Sequence, residues 1–321
     1  MPTLKELINI DPEKTSAKIV KIMQKIVLND LQKRGAVIGV SGGLDSSVCL
    51  ALSIKAFGIK RVVGISMPET ESNPESLDMA RELCQNFGVE FIIEDISEAL
   101  RGFNTYTRRN ESIKNIFPEY TDTYKAKIIL PDNLLQKETL NIFKLTIISP
   151  EGKEKIKRIP LKEYLQIVAA SNFKQRSRMS MLYYHAERLN YTVIGTGNKN
   201  EHEQGFFVKY GDGGADIKPI AHLFKTQVFQ LAEYLNIPKE ILGRTPTTDT
   251  YSAECTQEEF FFRVPFEIGD LAWLALEKEI PLKKISQELD LSEEQVLRIQ
   301  KDIKRKIKTA AYLKAAPYHL K

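Results

Sequence analysis

The stretch Ala36-Val37-Ile38-Gly39-Val40-Ser41-Gly42-Gly43-Leu44-Asp45-Ser46-Ser47 joins a short apolar run to a glycine-rich turn and then to a helical pattern. Residues 36–40 are apolar throughout, which is typical of a buried parallel strand. Glycines let the backbone approach a phosphate closely, and a following helix points its first N–H groups at the same place. Because open α/β sheets bind ligands at this edge, the stretch predicts a ligand-binding loop in preference to a simple capped turn.

The turn differs from the commonest phosphate-binding loop. No lysine lies between Ser41 and Ser47, so the turn does not fit the GxxxxGK[ST] pattern. Asp45, at the predicted helix start, favours the helix dipole and can also hold Mg²⁺ through its carboxylate.

Apolar patterns on both sides of this stretch predict the rest of the sheet. Short apolar runs predict strands at residues 61–66, 90–93 and 192–194. Helical spacing predicts helices at residues 16–31, 48–57, 73–87, 172–189 and 225–235. This alternation indicates an α/β fold, a doubly wound parallel sheet with helices on both faces.

Two segments depart from this alternation. Residues 104–164 are polar and uneven, but a β-prone run at 140–149, a turn at 150–152 and a return at 153–159 predict an inserted β-hairpin. The C-terminal part, about 257–321, is helical in pattern. We therefore expect one domain over residues 1–321, with an insertion at about 104–164 and a helical C-terminal segment.

The composition is that of a globular protein, with 42% hydrophobic and 27% charged residues. No apolar run reaches the length of a membrane span, and the first ten residues do not resemble a signal peptide. We expect a cytoplasmic protein with no membrane partner. The three cysteines form no CxxC pair, which argues against a zinc site or a disulfide scaffold. The net charge of +4 is weak evidence about partners.

Several further segments carry polar side chains suited to a nucleotide site. Thr196 and Glu201 follow the predicted strand at 192–194, and a loop at 209–216 contains three glycines and two aspartates. Lys225 begins the next predicted helix and could stabilise charge on a leaving pyrophosphate. Each segment alone is also explained without function, as a strand-end turn, a flexible linker or an exposed lysine at a helix start.

Together, these segments resemble a known group. The SGGxDS turn is similar to the pyrophosphate loop of the N-type ATP pyrophosphatases, which transfer AMP from ATP to an oxygen of their substrate. The patterns NxKxRxRM, GTGNKxE, KYGDGGADIxPI, LFKTQ and PTxD then follow in the order found in NAD synthetases. The match is close at residues 36–103 and 171–249, so the sequence is identified as a member of that family.

The resemblance implies a role for each matching position. The residues implied to bind ATP are Gly39, Val40, Ser41, Gly42, Gly43, Leu44, Asp45, Ser46, Thr196, Lys225 and Thr247. Asp45 and Glu201 are implied as Mg²⁺ ligands, and Asp45 and Lys225 as the catalytic pair. The residues implied to bind deamido-NAD are Arg176, Lys209, Asp216 and Lys304. Lys304 is included because Ile303-Lys304 is the nearest counterpart of the family's C-terminal His-Lys pair, although the histidine is missing.

The implied reaction is amidation of deamido-NAD to NAD, with ATP as co-substrate and AMP and pyrophosphate as products. Glutamine-using members carry an additional amidase domain for which we expect no room, so free ammonia or a partner's ammonia is the implied donor. The resemblance also implies a homodimer whose interface forms the substrate site, and no nucleic-acid partner is expected. The alternatives are a related ligase that amidates another carboxylate, a tRNA-modifying enzyme and a non-catalytic nucleotide-binding module.

The insertion is the largest departure from the compact members of the family. Its size and its position between two site-bearing segments suggest that it covers the site or docks a partner. A surface decoration is the alternative, since loops tolerate insertions.

Overall fold

The computed structural model describes residues 2–130, 133–136, 142–247 and 250–320. The strands within these ranges are β1 Ala36–Gly39, β2 Val62–Ser66, β3 Glu90–Ile93, β4 Lys125–Ile129, β5 Lys144–Ile148, β6 Glu154–Arg158 and β7 Thr192–Ile194. The α-helices are α1 Leu4–Ile8, α2 Pro12–Gln24, α3 Leu44–Phe57, α4 Pro74–Phe87, α5 Ser97–Gly102, α6 Thr105–Ile116, α7 Leu161–Leu189, α8 Lys199–Gln204, α9 Lys225–Tyr234, α10 Lys239–Leu242, α11 Phe266–Glu277, α12 Leu282–Leu289 and α13 Glu293–Lys314. Two π-helical segments are Lys25–Asp30 and Glu258–Phe262.

Four strands form a parallel sheet in the order β3-β2-β1-β7. β1 lies inside the sheet, with Ala36 paired to Val62 on one side and to Thr192 on the other. A parallel bridge between Ile194 and Ile217 continues the sheet beyond β7. The four predicted strands are confirmed, with ends shifted by a residue at most.

Helices cover both faces of this sheet. Successive residues of a strand point to opposite faces, and β1 shows the consequence. Val37 packs in an apolar cluster with Leu182 of α7, whereas Ile38 belongs to a second cluster with Leu52 of α3 and Leu231 of α9. The doubly wound arrangement predicted from the sequence is therefore present.

The segment 104–164 contains more structure than the predicted hairpin. The hairpin itself is present as β5 and β6, which pair antiparallel with Lys144 opposite Arg158. β4 adds a third antiparallel strand on the other edge of β5, and α6 precedes it. Leu140, at the predicted start of the hairpin, lies outside the described residues.

Helix α7 begins at Leu161, well before the start predicted near residue 172. Pro160 precedes its first residue, a place where the missing N–H of proline costs nothing. Ile167, in the early part of the helix, packs with Ile128 and Ile147 of the insertion. The additional turns of α7 thus form one wall of the insertion's own small core.

The helical C-terminal part is confirmed as α11, α12 and α13. Asp290 adopts a φ of 53° and ends α12 at the predicted turn. None of the helices described is long and apolar enough to cross a membrane. The division into one domain with an insertion and a helical C-terminal segment remains a prediction.

Candidate active site

A cavity of about 620 Å³ opens at the carboxyl ends of three parallel strands. Gly39 of β1, Ser66 of β2 and Ile194 of β7 all line it. This is the edge at which open α/β sheets bind ligands, and the volume falls in the usual range for small-molecule sites.

The turn from β1 into α3 forms one wall of the cavity. The hydroxyl groups of Ser46 and Ser47 each donate to the carbonyl oxygen of Gly43 at 2.9 Å, which holds the turn against the first turn of the helix. Gly43 is the N-cap residue of α3 and has no side chain to satisfy the first N–H groups of the helix. These groups are therefore available to an anionic ligand such as phosphate.

Two charged side chains from distant parts of the chain meet beside this turn. Lys225, the first residue of α9, is only 1% exposed, and its Nζ donates to Oδ2 of Asp45 in α3. Nδ2 of Asn198 donates to the other carboxylate oxygen of Asp45 at 3.2 Å. Because burying an unpaired ammonium group is costly, the carboxylate of Asp45 offsets the cost of placing Lys225 in the cavity wall.

Glu201 brings a second carboxylate to the cavity from α8. The backbone N–H of Asn198 donates to its Oε2 at 3.1 Å, and Nε2 of Gln257 donates to its Oε1 at 3.2 Å. Burial, followed by the negative charge of Asp45, raises the pKa of Glu201 to about 8. A cation bound beside both carboxylates would favour the charged form of Glu201.

The pair Asp45 and Glu201 suits Mg²⁺ rather than a metal held by protein alone. Mg²⁺ commonly takes one or two carboxylates and completes its shell with phosphate oxygens and water. Within the ranges that the structure describes, no group of three or more His, Cys, Asp or Glu residues could hold a metal ion. The chemistry of these two side chains therefore fits a metal that arrives with a polyphosphate ligand.

Most of the residues predicted to bind ATP lie on this cavity. Those that line it are Gly39, Val40, Ser41, Gly43, Leu44, Asp45, Ser46, Thr196, Lys225 and Thr247. Gly42 lies within the turn without lining the cavity. Asp249, in the predicted PTxD segment, lies outside the described residues.

The residues predicted to bind deamido-NAD do not line this cavity. Nε of Arg176 donates to the carbonyl oxygen of Lys209 at 3.3 Å. Nζ of Lys209 in turn donates to the carbonyl oxygens of Tyr312 at 3.0 Å and Ala315 at 2.9 Å, at the end of α13. Lys304 is exposed on α13. None of these three predicted residues lines the cavity.

Asp216 has a structural partner for each of its carboxylate oxygens. Oδ1 accepts from the hydroxyl of Tyr183 at 2.8 Å. Oδ2 accepts from Oγ1 of Thr192 at 2.9 Å and from the N–H of Val193 at 2.8 Å. The side chain thus fastens its glycine-rich loop to β7, and its role towards substrate remains a prediction.

Two arginines reach the cavity that were not predicted as site residues. Nε of Arg178 donates to the carbonyl oxygen of Met67 at 3.1 Å, and Nη2 of Arg244 donates to Oγ of Ser76 at 3.0 Å. Both guanidinium groups add positive charge to the cavity wall. The basic pattern around Arg178 was visible in the sequence, but its spacing did not indicate which member faces the cavity.

An aromatic side of the cavity was also missed. Its members are Phe143, Tyr164, Phe206, Phe207, Tyr251, Phe260 and Phe261. The rings of Phe143, in the insertion, and Tyr164 are stacked, with centroids 4.5 Å apart. The run of phenylalanines at 260–262 was a usable signal, because aromatic side chains are common in ligand pockets.

Comparison with known proteins relates this chain to one family. A model of the family described as NAD synthase matches residues 15–123 and 118–309. The chain is 44% identical over 311 residues to the NH(3)-dependent NAD(+) synthetase of Mesorhizobium japonicum, covering 97% of each chain.

Two solved structures are similar in fold. The NMN synthetase of Francisella tularensis has a TM-score of 0.64 and 22% identity, covering 97% of this chain and 99% of that one. The NH3-dependent NAD synthetase of Campylobacter jejuni has a TM-score of 0.60 and 23% identity, covering 97% and 100%. The family match and the Mesorhizobium relative together show that this chain belongs to the NAD synthase family.

Proposed function

We propose that this chain catalyses the ATP-dependent amidation of deamido-NAD to NAD with ammonia. A carboxylate oxygen of deamido-NAD attacks the α-phosphorus of ATP and pyrophosphate leaves. Ammonia then attacks the acyl carbon, AMP leaves, and the nitrogen loses a proton. The observation that carries the proposal is the meeting of Asp45, Lys225 and the start of α3 in one cavity, within a chain of this family.

The side chains of the cavity suit the first step. The N–H groups at the start of α3 would bind phosphate oxygens, and the ammonium group of Lys225 would offset charge that builds up on the leaving pyrophosphate. Fixed donors of this kind need no rearrangement as the charge develops. No protein nucleophile is required, because ATP and deamido-NAD are both reactants held in place.

Mg²⁺ is proposed as the metal, held by Asp45 and Glu201. When bound, it would polarise and neutralise phosphate oxygens of ATP. Asp45 holds the ammonium group of Lys225 in this structure, so both side chains would exchange this contact for the metal and the phosphates. Glu201 is kept in place for this role by Asn198 and Gln257.

The remaining parts of the proposal rest on the family resemblance. They are a homodimer in which a partner subunit completes the substrate site, free ammonia as the donor, and a cytoplasmic location. Arg176, Lys209, Asp216 and Lys304 keep their proposed role towards deamido-NAD, although none of the four lines the cavity of this chain.

The test follows AMP, pyrophosphate and NAD from ATP, Mg²⁺ and ammonia, with and without deamido-NAD. We expect AMP and NAD in equal amounts, and only when deamido-NAD is present. Asp45→Asn keeps an oxygen that can accept from Lys225 but removes the charge. We expect this variant to lower kcat by about 100-fold or more.

Asp11→Asn is the matched control. Asp11 is the N-cap of α2, where its side chain accepts from the N–H of Lys14, and asparagine caps helices about as well as aspartate. This variant should keep full activity. AMP formed with another carboxylate but not with deamido-NAD would contradict the proposed substrate, and no AMP with any carboxylate would contradict the proposed chemistry.

A further inference from the structure

One face of α11 lies behind the cavity and contacts the elements that carry its charged groups. Phe266, Asp270, Trp273 and Glu277 follow one another at intervals of four, three and four residues, so they share one face of the helix. Phe266, Asp270 and Trp273 are buried. None of these four residues lines the cavity, but their neighbours are the first residues of α8 and α9.

Asp270 joins these two helix starts directly. Its Oδ1 accepts from Nδ2 of Asn200 in α8. Its Oδ2 accepts from both the backbone N–H and the hydroxyl of Thr226 in α9, each at 2.9 Å. The side chain is fully buried, at 0% exposure, so both carboxylate oxygens are used to connect α8 with α9.

Asn200 completes a triangle of hydrogen bonds whose corners are Asn200, Asp270 and the first two residues of α9. Its Oδ1 accepts from the backbone N–H of Lys225 at 3.2 Å, while its Nδ2 donates to Asp270. Asn200 is next to Glu201, and Thr226 is next to Lys225. The triangle therefore fixes the backbone beside Glu201 and at Lys225, two of the charged residues that line the cavity.

The rest of the face supports the same two helix starts. Nζ of Lys199 in α8 pairs with Glu277 at 2.7 Å and lies 5.2 Å from the ring centroid of Trp273. The ring of Phe266 lies 5.8 Å from Nζ of Lys225. A buried carboxylate is costly unless it is hydrogen-bonded, and the three bonds that satisfy Asp270 all come from the starts of α8 and α9.

We infer that Asp270 is a positioning residue which, through Asn200 and Thr226, holds Lys225 and Glu201 in the geometry needed for adenylate formation. The inference rests on the function proposed above. It assigns α11 a part in the reaction, although none of the four residues on this face lines the cavity.

The structure allows a test in which hydrogen bonds are removed and then restored. In Asp270→Asn, the introduced amide N–H₂ opposes the N–H₂ of Asn200, so one hydrogen bond is lost. Rotating the amide of Asn200 only transfers the mismatch to the N–H of Lys225. Adding Asn200→Asp exchanges donor and acceptor, and the double variant can again form every bond of the triangle.

We expect Asp270→Asn to lower kcat by about tenfold or more, since small misplacement of catalytic groups is costly. It should also weaken ATP binding, measured by isothermal titration calorimetry, through Lys225. The double variant Asn200→Asp/Asp270→Asn should recover most of both losses.

The matched control is Gln300→Met. Nε2 of Gln300 in α13 donates to the carbonyl oxygen of Ala272 in α11 at 3.1 Å. This variant therefore removes a buried hydrogen bond to the helix that carries Asp270. It should lower the melting temperature and leave kcat and ATP binding unchanged.

Two results would overturn the inference alone, provided that the wild type is active. The first is an Asp270→Asn variant with unchanged kcat and ATP binding, and the second is a double variant that recovers neither. An inactive wild type would overturn the proposed function, and the inference with it.

Discussion

Gly42 occupies a backbone position that suits glycine alone. Its φ is 72°, and a Cβ added there would lie 2.7 Å from the carbonyl oxygen of Ser76 and 3.0 Å from Cβ of Met79. Gly42→Ala should therefore displace the turn between β1 and α3. We expect Kd for ATP to rise about tenfold and the free energy of unfolding to fall by about 1–3 kcal/mol, measured by calorimetry and urea denaturation.

Gly58→Ala is the control, because it introduces backbone strain without displacing neighbouring atoms. Gly58 has a similar φ of 81°, but no atom lies within 4 Å of an added Cβ. This variant should lose stability through backbone strain while ATP binding is unchanged. Equal ATP affinities for the two variants would show that the turn does not depend on Gly42.

Individual site residues were predictable where a local pattern surrounded them. Asp45 and Glu201 each follow a short apolar strand and a glycine-containing turn, so their place at the sheet edge could be inferred. Their partners could not, because Lys225 and Asp45 are 180 residues apart in the chain and no local pattern links them. Asp270 gave no signal, since a single acid in an apolar helix does not indicate what it contacts.

The loop between β2 and α4 is held by a buried network of charged side chains. Nζ of Lys174 in α7, 1% exposed, lies 3.0 Å from Oε1 of Glu69 and 2.8 Å from Oε2 of Glu71. Both terminal nitrogens of Arg109 in α6 donate to the carboxylate of Glu71 at 2.6 Å. The loop between β2 and α4, which supplies Ser72 and other residues to the cavity, is thereby tied to the insertion.

Glu71 should make stability depend on pH in the acid range. Burial acts to raise the pKa of Glu71, but the hydrogen bonds of Arg109 and the charge of Lys174 outweigh it and lower the pKa from 4.5 to about 2. Because the pKa is lower in the folded state, the contribution is present above about pH 4.5 and is lost as the pH falls towards 2. It amounts to on the order of 3 kcal/mol.

Urea denaturation from pH 7 to pH 2.5 tests this pH dependence of the stability. We expect Glu71→Gln to be less stable than wild type at pH 7, and the difference to shrink as the pH falls below 4.5. Glu119→Gln is the control, since Glu119 pairs with Lys155 on the surface and exposed pairs contribute little. A stability difference for Glu71→Gln that stays constant down to pH 2.5 would contradict the role given to the network.

Two helices, α6 and the early part of α7, could not be predicted from hydrophobic spacing. The buried residues of α6 are Thr105, Arg109, Ser112 and Ile113, so its inner face is mostly polar and hydrophobic spacing cannot reveal it. The early turns of α7 were missed because they pack on the insertion, whose position was unknown. By contrast, β1, β2 and β7 are short apolar runs that are almost entirely buried, as apolar composition predicts, whereas the edge strand β3 is only partly buried.

At the scale of the whole molecule, the insertion is built into the cavity. Its apolar cluster, with Phe117 and Ile147 at the centre, also contains Ile167 of α7 and Tyr251 of the segment after α10. Phe260, which packs against this cluster, also lines the cavity. From this shared packing we propose that the insertion helps to form the site.

Phe143 offers a direct test of that role, because it belongs to the insertion, lines the cavity and stacks on Tyr164. Stacking of an aromatic side chain on a nucleotide base contributes about 1–3 kcal/mol. We therefore expect Phe143→Ala to raise KM for at least one of the two nucleotide substrates by about five- to tenfold, with kcat changed less.

Ile156→Ala is the control, since Ile156 lies on β6 of the same small sheet and is 51% exposed. Steady-state kinetics with ATP and deamido-NAD varied separately would show which substrate contacts the aromatic wall. Unchanged KM values for both would mean that the insertion encloses the cavity without binding what enters it.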